Sequence, residues 1–257
     1  MTVISVFNQK GGVGKTTTVV SLGAVFASLN KKVLIVDFDP QGNANRSFGV
    51  DRDNIGNKNI YRVLSDEVEI EDSIMNTNSK NLDIIACNQD LLAVEQELYA
   101  VERKEFYLSD RLKKISSNYD FVLIDCPPSI SLLSINALVA CSFVLIPIQC
   151  QYFALQGLAD ILRTAKAIED NFNPKIKICG IALTMYAKNY TITKQIEDEI
   201  RGACDDLIYD TVIPTNVKIV ESQSMEKPII EYDPMSSGAI AYANLGKEIL
   251  MKLNIKW

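Results

Sequence analysis

Histidine is absent from this sequence of 257 residues. Its absence removes the commonest general base of enzymes and every arrangement in which a histidine activates a serine or a cysteine. Cysteine occurs 6 times, but no two cysteines form a C-x-x-C pair, so zinc sites of the usual spacings have no ligands. Any catalysis must therefore depend on carboxylates, lysines, backbone amides or a bound metal ion.

Long apolar runs are missing as well. No window approaches the roughly 18 uncharged apolar residues of a membrane span, and the first residues enter a strand pattern without a basic leader. We therefore expect a cytoplasmic protein with no stable membrane insertion. The net charge of −6 and the pI near 4.9 disfavour nucleic acid as a partner, so DNA binding would require a local basic patch.

Short β-branched runs alternate along the chain with segments of helical periodicity. Strands are predicted at residues 3–7, 32–38, 82–86, 121–125, 143–148 and 176–184. Helices are predicted at residues 15–29, 89–101, 107–117, 157–171, 193–204 and 237–253. The segment 49–80, rich in Asn, Asp and Ser, is predicted to be a surface excursion with one or two short helices.

The strand patterns also predict the fold class. Several strands are apolar at nearly every position, which is typical of a sheet covered on both faces by helices. We therefore predict a single domain over residues 1–257: a doubly wound α/β fold with a mostly parallel, twisted sheet, like that of P-loop NTPases. Ligands of such sheets bind at the carboxyl ends of the strands, where this chain places its most polar and glycine-rich segments.

Residues 8–18, NQKGGVGKTTT, nearly match the phosphate-binding pattern G-x-x-x-x-G-K-[ST]. The glycines favour a tight loop whose amides point inward, and the start of a helix at Lys15 adds a positive dipole end, which suits a di- or triphosphate. Lys15 is expected to reach the β- and γ-phosphates and Thr16 to coordinate Mg²⁺. The first glycine of the pattern is replaced by Gln9, and a second lysine, Lys10, follows it.

Three aspartates end predicted strands near this loop. Asp37 and Asp39 close the second strand as D-x-D, and Asp125 closes the strand FVLID like a Walker B carboxylate. One carboxylate could hold the water ligands of Mg²⁺ and another could orient an attacking water. Each aspartate alone could equally cap a turn, but three that converge on one loop favour a functional role.

Six segments together resemble the ParA/Soj family of partition ATPases, relatives of MinD and of the nitrogenase iron protein. The resemblance covers essentially the whole chain. The segments are KGGVGKTT, VDFDPQGN, FVLIDCPPS, QYFALQGL, PTNVKIVES and KPIIEYDPMSSGAIAY. In that family, the lysine at the position of Lys10 crosses a two-fold axis to the phosphates of the ATP held by the partner subunit. The resemblance thus implies an ATP-dependent homodimer.

The resemblance also implies roles for individual residues. Asp39 would position the attacking water, Asp125 would hold Mg²⁺ indirectly, and Asp37 would support the loop or cap a turn. Catalytic roles are expected for Lys10, Lys15, Asp39 and Asp125, and the metal site for Thr16, Asp39 and Asp125. The ATP contacts are expected to be Lys10, Gly11, Gly12, Val13, Gly14, Lys15, Thr16, Thr17 (α-phosphate), Pro214 and Asn216 (both adenine).

The chain departs from the family pattern at several positions. Gln151 and Gln156 replace glutamates, and Asn189 and Thr215 replace arginines that relatives use near the DNA face or the dimer edge. Lysine at residue 218 replaces another arginine and lacks its bidentate fork. The remaining candidates for a DNA face are Lys188, Lys194, Arg201, Lys218, Lys227, Lys247 and Lys252.

The predicted function is a nucleotide switch. ATP would close a dimer that binds nonspecific double-stranded DNA, and slow hydrolysis stimulated by a ParB-like centromere-binding protein would release it from the nucleoid. The first strand begins near residue 3, which resembles the short ParA type without a helix-turn-helix extension. The alternatives are a MinD-like protein that docks residues 247–257 on a membrane, an iron–sulphur reductase using Cys126, and a P-loop kinase.

Overall fold

A central sheet organises the computed structural model, which describes residues 1–51 and 55–256. Its seven strands lie in the order β3-β4-β2-β5-β1-β6-β7. All paired strands run parallel except β3, which is antiparallel to β4 at one edge. The strands are β1 (Thr2–Val6), β2 (Val33–Asp37), β3 (Met75–Asn76), β4 (Leu82–Ile85), β5 (Phe121–Asp125), β6 (Phe143–Gln149) and β7 (Lys177–Thr184).

Helices cover both faces of the sheet. They are α1 (Lys15–Ser28), α2 (Asn43–Arg46), α3 (Ile60–Leu64), α4 (Val94–Glu97), α5 (Tyr107–Lys114), α6 (Leu132–Ala140), α7 (Ala154–Asn171), α8 (Thr191–Cys204), α9 (Val217–Ser224), α10 (Ile229–Tyr232) and α11 (Ser237–Lys252). Short 3₁₀ turns occupy Ile70–Ser73, Gln89–Ala93, Lys104–Phe106 and Asp205–Leu207. No helix in the described ranges is both long and apolar enough to cross a membrane.

The apolar side chains form one core layer on each face of the sheet. On one face α1 and α11 pack together, and the ring of Phe26 stacks on Phe121 of β5 with centroids 4.7 Å apart. Gly246 allows this close approach, because a Cβ at that position would lie 2.6 Å from Cγ1 of Val25. The other face is covered by α3, α5, α6, α7 and α8. The predicted doubly wound, mostly parallel sheet is therefore confirmed.

The six predicted strands are all present, with ends shifted by at most one residue. The predicted helix 89–101 is wrong as a single element, since a 3₁₀ turn and the four residues of α4 replace it. The surface excursion predicted for 49–80 is also wrong in part, because Ile60, Leu64 and Ile70 are buried in the core. Residues 52–54 of that segment lie outside the described ranges.

The strand order brings the predicted polar segments together at the carboxyl ends of the strands. β1 lies between β5 and β6, and β2 pairs with β5, so the carboxyl ends of these four strands are neighbours. In the β2–β5 register Asp37 stands opposite Asp125, and in the β1–β5 register Val6 stands opposite Asp125. The loop after β1 therefore lies directly beside the strand-end carboxylates.

Candidate functional site

The loop between β1 and α1 has the geometry of an anion-binding nest. Gly12 and Gly14 have φ angles of 74° and 89°, in the left-handed region that side chains other than glycine rarely adopt. Gly14 caps α1 without any side-chain hydrogen bond, so the first amides of the helix remain available to a ligand. Val13 is buried, and its carbonyl oxygen accepts a 2.8 Å hydrogen bond from the Thr184 hydroxyl of β7.

Lys15 lies inside this loop. Its side chain is buried, and Nζ donates a 3.1 Å hydrogen bond to the carbonyl oxygen of Lys10. Burial lowers the pKa of Lys15, while the carboxylates of Asp125 and Asp39 act in the opposite direction. Among the described residues, the desolvated amine therefore has only a loop carbonyl as a hydrogen-bond partner, and it is placed to gain strongly from an anionic ligand.

Thr16 and Asp125 form the candidate metal site. The Thr16 hydroxyl donates a 2.7 Å hydrogen bond to Oδ2 of Asp125. Oδ1 of the same carboxylate is buried and has no hydrogen-bond partner among the described residues. A hydroxyl and a carboxylate with a free oxygen suit Mg²⁺, which commonly takes its other ligands from phosphates and water. This donor set fits the ion, and the described residues contain no separate cluster of three or more His, Cys, Asp or Glu that could hold a metal.

Asp37 supports the segment that carries Asp39. Its carboxylate accepts hydrogen bonds from the Asp39 amide at 3.3 Å and from the Asn45 amide at 3.0 Å. Burial raises the pKa of Asp37 to about 7 despite these two donors. Asp39 Oδ1 accepts a 3.0 Å hydrogen bond from the Gln41 amide, and the side chain lies at the rim of the site. The catalytic role of Asp39 stays a prediction.

The carboxyl group of Asp125 makes the stability of the nucleotide-free protein depend on pH. Burial, and then the charge of Asp37, raises the pKa of Asp125 well above its ordinary value. The folded chain therefore holds a proton that the unfolded chain has already released, and stability falls as the pH rises above about 4.

We therefore expect Asp125→Asn to unfold at a higher temperature than the wild type at pH 8. A gain of about 2–4 °C corresponds to about 1 kcal/mol in a protein of this size. The gain should shrink towards zero near pH 4, where both side chains are neutral. Thermal unfolding followed by circular dichroism from pH 4 to pH 8 checks this, with Asp120→Asn at an exposed position as the control. A difference independent of pH would contradict the burial explanation.

A cavity of about 200 Å³ opens beside the loop. Gly14 and Thr17 line one side of it, and Pro214 and Asn216 line the other. The Thr17 hydroxyl accepts a 2.9 Å hydrogen bond from the side-chain amide nitrogen, Nε2, of Gln223. The arrangement places both predicted adenine contacts in the same cavity as the loop.

Sequence reasoning missed most of this cavity's walls. Met185, Ile219 and Tyr242 also line it, contributed by the turn after β7, by α9 and by α11. The backbone of Met185 is left-handed, with φ at 47°, which is rare for a long side chain. The side chain of Asn216 caps α9 by accepting a 2.7 Å hydrogen bond from the Lys218 backbone amide. An asparagine at such a position is a sequence signal for the start of a helix.

Lys10 lies on the outside of the loop. Its backbone amide donates a 2.9 Å hydrogen bond to Oδ1 of the Asn8 side chain. The exposed amine donates to Oε1 of Gln151, in the turn after β6. The neighbouring Tyr152 and Phe153 are 84% and 68% exposed, so apolar surface lies next to this cation. Gln156 is exposed on the first turn of α7.

The predicted DNA-face residues differ in how free they are. Arg201 is paired with Glu197 at 2.9 Å and Lys218 with Glu221 at 2.7 Å, while Lys252 donates to the Asp206 carbonyl oxygen at 2.8 Å. Within the described residues, the other four are exposed and form no ion pair: Lys188, Lys194, Lys227 and Lys247. A DNA face therefore rests on these four lysines and stays a prediction.

Comparison with known proteins gives a consistent result. A family model described as an AAA domain matches residues 1–178. The sporulation initiation inhibitor protein Soj of Bacillus subtilis is 43% identical over 96% of this chain and 97% of its own length. The chromosome partitioning protein ParA of Caulobacter vibrioides is 39% identical over 97% of this chain and 94% of its own length.

A solved structure matches at the level of the fold as well. Cobyrinic acid a,c-diamide synthase from Mycobacterium smegmatis, with a bound ATP analog and magnesium, aligns with a TM-score of 0.85 and 31% sequence identity. The alignment covers 99% of this chain and 96% of that one. The near-complete coverage of Soj and ParA, together with a phosphate loop and strand-end carboxylates in one site, shows that the chain belongs to the ParA/Soj family of partition ATPases.

Proposed function

We propose that this protein is a dimerising ATPase that binds double-stranded DNA without sequence preference. With a ParB-like centromere-binding partner it would move a chromosome or a plasmid across the nucleoid. The observation that carries the proposal is the pair of lysines in one loop. Lys15 is buried among the amides of the nest, whereas Lys10 lies outside with an exposed amine. The inner lysine serves the nucleotide of its own chain, and the outer lysine serves that of a second copy.

The nucleotide in this proposal is ATP with Mg²⁺. The loop from Gly11 to Gly14 and Lys15 would hold the phosphates, and Pro214 and Asn216 would contact the base. Thr16 and Asp125 would hold Mg²⁺, which neutralises charge on the phosphate oxygens. Asp39 would orient the attacking water, because in a chain without histidine a strand-end carboxylate can take that role.

The DNA contact is tested with a variant that hydrolyses ATP slowly. We expect Asp39→Ala to accumulate as an ATP dimer that binds random-sequence DNA. If about four lysines contact phosphates, affinity should fall on the order of 100-fold between 50 and 200 mM salt. Fluorescence anisotropy with a labelled random duplex measures this.

Two controls define the DNA experiment. The same variant with ADP should not bind the duplex at either salt concentration. Replacing Lys188 and Lys194 together with alanine should reduce the salt dependence without changing ATP affinity. Binding that is flat across this salt range would contradict phosphate contacts, and binding without nucleotide would contradict the switch.

The structure favours this proposal over membrane docking by the C-terminal helix. Tyr242, Leu245 and Ile249 of α11 are buried against the sheet, so the apolar face of the helix already has a partner. Trp257, part of the predicted lipid-binding segment, lies outside the described residues. The iron–sulphur alternative loses support because Cys126 is fully buried, and burial raises the pKa of its thiol.

A further inference from the structure

The segment that carries Asp39 is held from behind by a residue of another strand. The Asp39 carbonyl oxygen accepts a 2.8 Å hydrogen bond from the Gly42 amide, which closes a turn. The same oxygen accepts a second hydrogen bond, also 2.8 Å, from the thiol of Cys87. Cys87 follows β4, which pairs with β2, and its side chain is completely buried. A contact distant in sequence therefore fixes the backbone of Asp39.

Asn45 of α2 connects Cys87 to the same turn. Its side-chain amide donates to the Cys87 carbonyl oxygen at 2.5 Å, and its Oδ1 accepts from the Cys87 amide at 3.2 Å. The Asn45 backbone amide donates to Asp37, which also accepts from the Asp39 amide. Asp37, Asp39, Asn45 and Cys87 thus form a closed ring of hydrogen bonds.

The ring is shielded from water, and all four of its residues take part in its hydrogen bonds. Asp37, Asn45 and Cys87 are completely buried, and only Asp39 reaches the edge of the site. The carbonyl oxygen of Asp39 can only accept, so the thiol of Cys87 is the donor in the hydrogen bond between them. Hydrogen bonds inside such a network reinforce one another, and the loss of one member affects the position of the others.

We propose that Asn45 and Cys87 are positioning residues for ATP hydrolysis, acting through the backbone of Asp39. This inference rests on the proposed role of Asp39 as the carboxylate that orients water. The phosphate nest is distant from the ring in sequence, and no hydrogen bond among the described residues joins the two. Its loss should therefore slow the chemical step without weakening ATP binding.

The experiment measures phosphate release by the full chain with Mg²⁺ and ATP at saturating protein concentration. Cys87→Ala removes the thiol donor, and we expect kcat to fall about tenfold, since small misplacements of catalytic groups have effects of this size or larger. KM for ATP should change by less than about twofold. Cys87→Ser restores a donor and should recover at least about half of the wild-type kcat.

A matched control separates positioning from the loss of a buried thiol. Cys179 of β7 is also buried and also donates to a backbone carbonyl, that of Val144, at 3.3 Å. Cys179→Ala should keep both kcat and KM. If Cys87→Ala does not fold, Cys87→Val, which fills the volume without a donor, carries the same expectation.

The double variant shows which proposal fails, the role of Asp39 or the positioning by Cys87, if kcat does not change as expected. In an Asp39→Ala background, Cys87→Ala should have no further effect on kcat, because both changes remove the same function. Wild-type kcat in Asp39→Ala would refute the proposed role of Asp39 itself. A loss of kcat in Asp39→Ala combined with wild-type kcat in Cys87→Ala would refute the positioning inference alone. A Cys87→Ala defect confined to KM would refute it as well.

Discussion

Lys15→Ala is expected to abolish nucleotide binding, with an ATP affinity at least about 100-fold below that of the wild type. Within the part of the chain that the structure describes, the buried amine has only a loop carbonyl as its hydrogen-bond partner, so most of its favourable interactions arise when phosphates enter the nest. A charge-assisted contact of this kind is worth about 3 kcal/mol or more in a partly dehydrated site. Titration with a fluorescent ATP analogue measures the loss directly.

The structure also predicts that Lys15→Ala stays folded. The lowered pKa of Lys15 reflects an amine that burial destabilises in the nucleotide-free protein, so its removal should not reduce thermal stability. The wild type should be stabilised by added Mg²⁺ and ATP, and the variant should not. A variant that retains wild-type affinity would show that the nest binds phosphate without its lysine and would contradict the site described here.

Lys10→Ala is expected to separate nucleotide binding from pairing. ATP affinity should remain within about threefold of the wild type, because the amine is exposed and contacts Gln151. The ATP-dependent dimer should dissociate at least about 30-fold more readily, since loss of one partner of a desolvated charge pair costs about 2–5 kcal/mol. Light scattering after gel filtration with ATP measures the dimer.

A lysine at the opposite, amino ends of the strands provides the control. Lys175 is exposed just before β7, at the amino end of the strands, and Lys175→Ala should dimerise like the wild type. Equal dimerisation of Lys10→Ala and Lys175→Ala would contradict the proposed contact across the two-fold axis. A parallel loss of ATP affinity in Lys10→Ala would instead show that the amine acts within its own chain.

The central part of the fold follows from local patterns in the sequence. Continuous apolar runs identified β1, β2 and β4 to β7, and the parallel arrangement placed their polar ends at one edge. Among the helices that were missed, α6 and α9 carried signals at their starts. The Ser131 and Ser134 side chains form a capping box at the start of α6, and Asn216 caps α9.

The errors in the fold have a common physical cause. The polar composition of 49–80 predicted an exposed segment, but three apolar residues there are buried in the core layer on one face of the sheet. An average composition does not show which single residues will be buried. The predicted helix 89–101 is interrupted after α4, and Arg103 then adopts a positive φ of 57°. Tertiary contacts decide such short segments more than helix propensity does.

The candidate site divides in the same way. The nest and the three aspartates were predictable because each lies at or soon after the carboxyl end of a strand, and the strand order alone brings them together. The ring through Asn45 and Cys87 was not predictable, since it links residues 42 positions apart by hydrogen bonds that need the folded backbone. The cavity walls from α9 and α11 likewise depend on how these helices pack.

The hydrogen bond between Lys10 and Gln151 has a consequence for the energetics of assembly. In the single chain the Lys10 amine already donates to Gln151, so in the proposed dimer a second copy would have to displace this amide before it gains the lysine. A neutral amide holds an ammonium group less firmly than a carboxylate does. Gln151 would therefore set a threshold for association and, because it lies in the turn after β6, would set it from outside the nucleotide pocket.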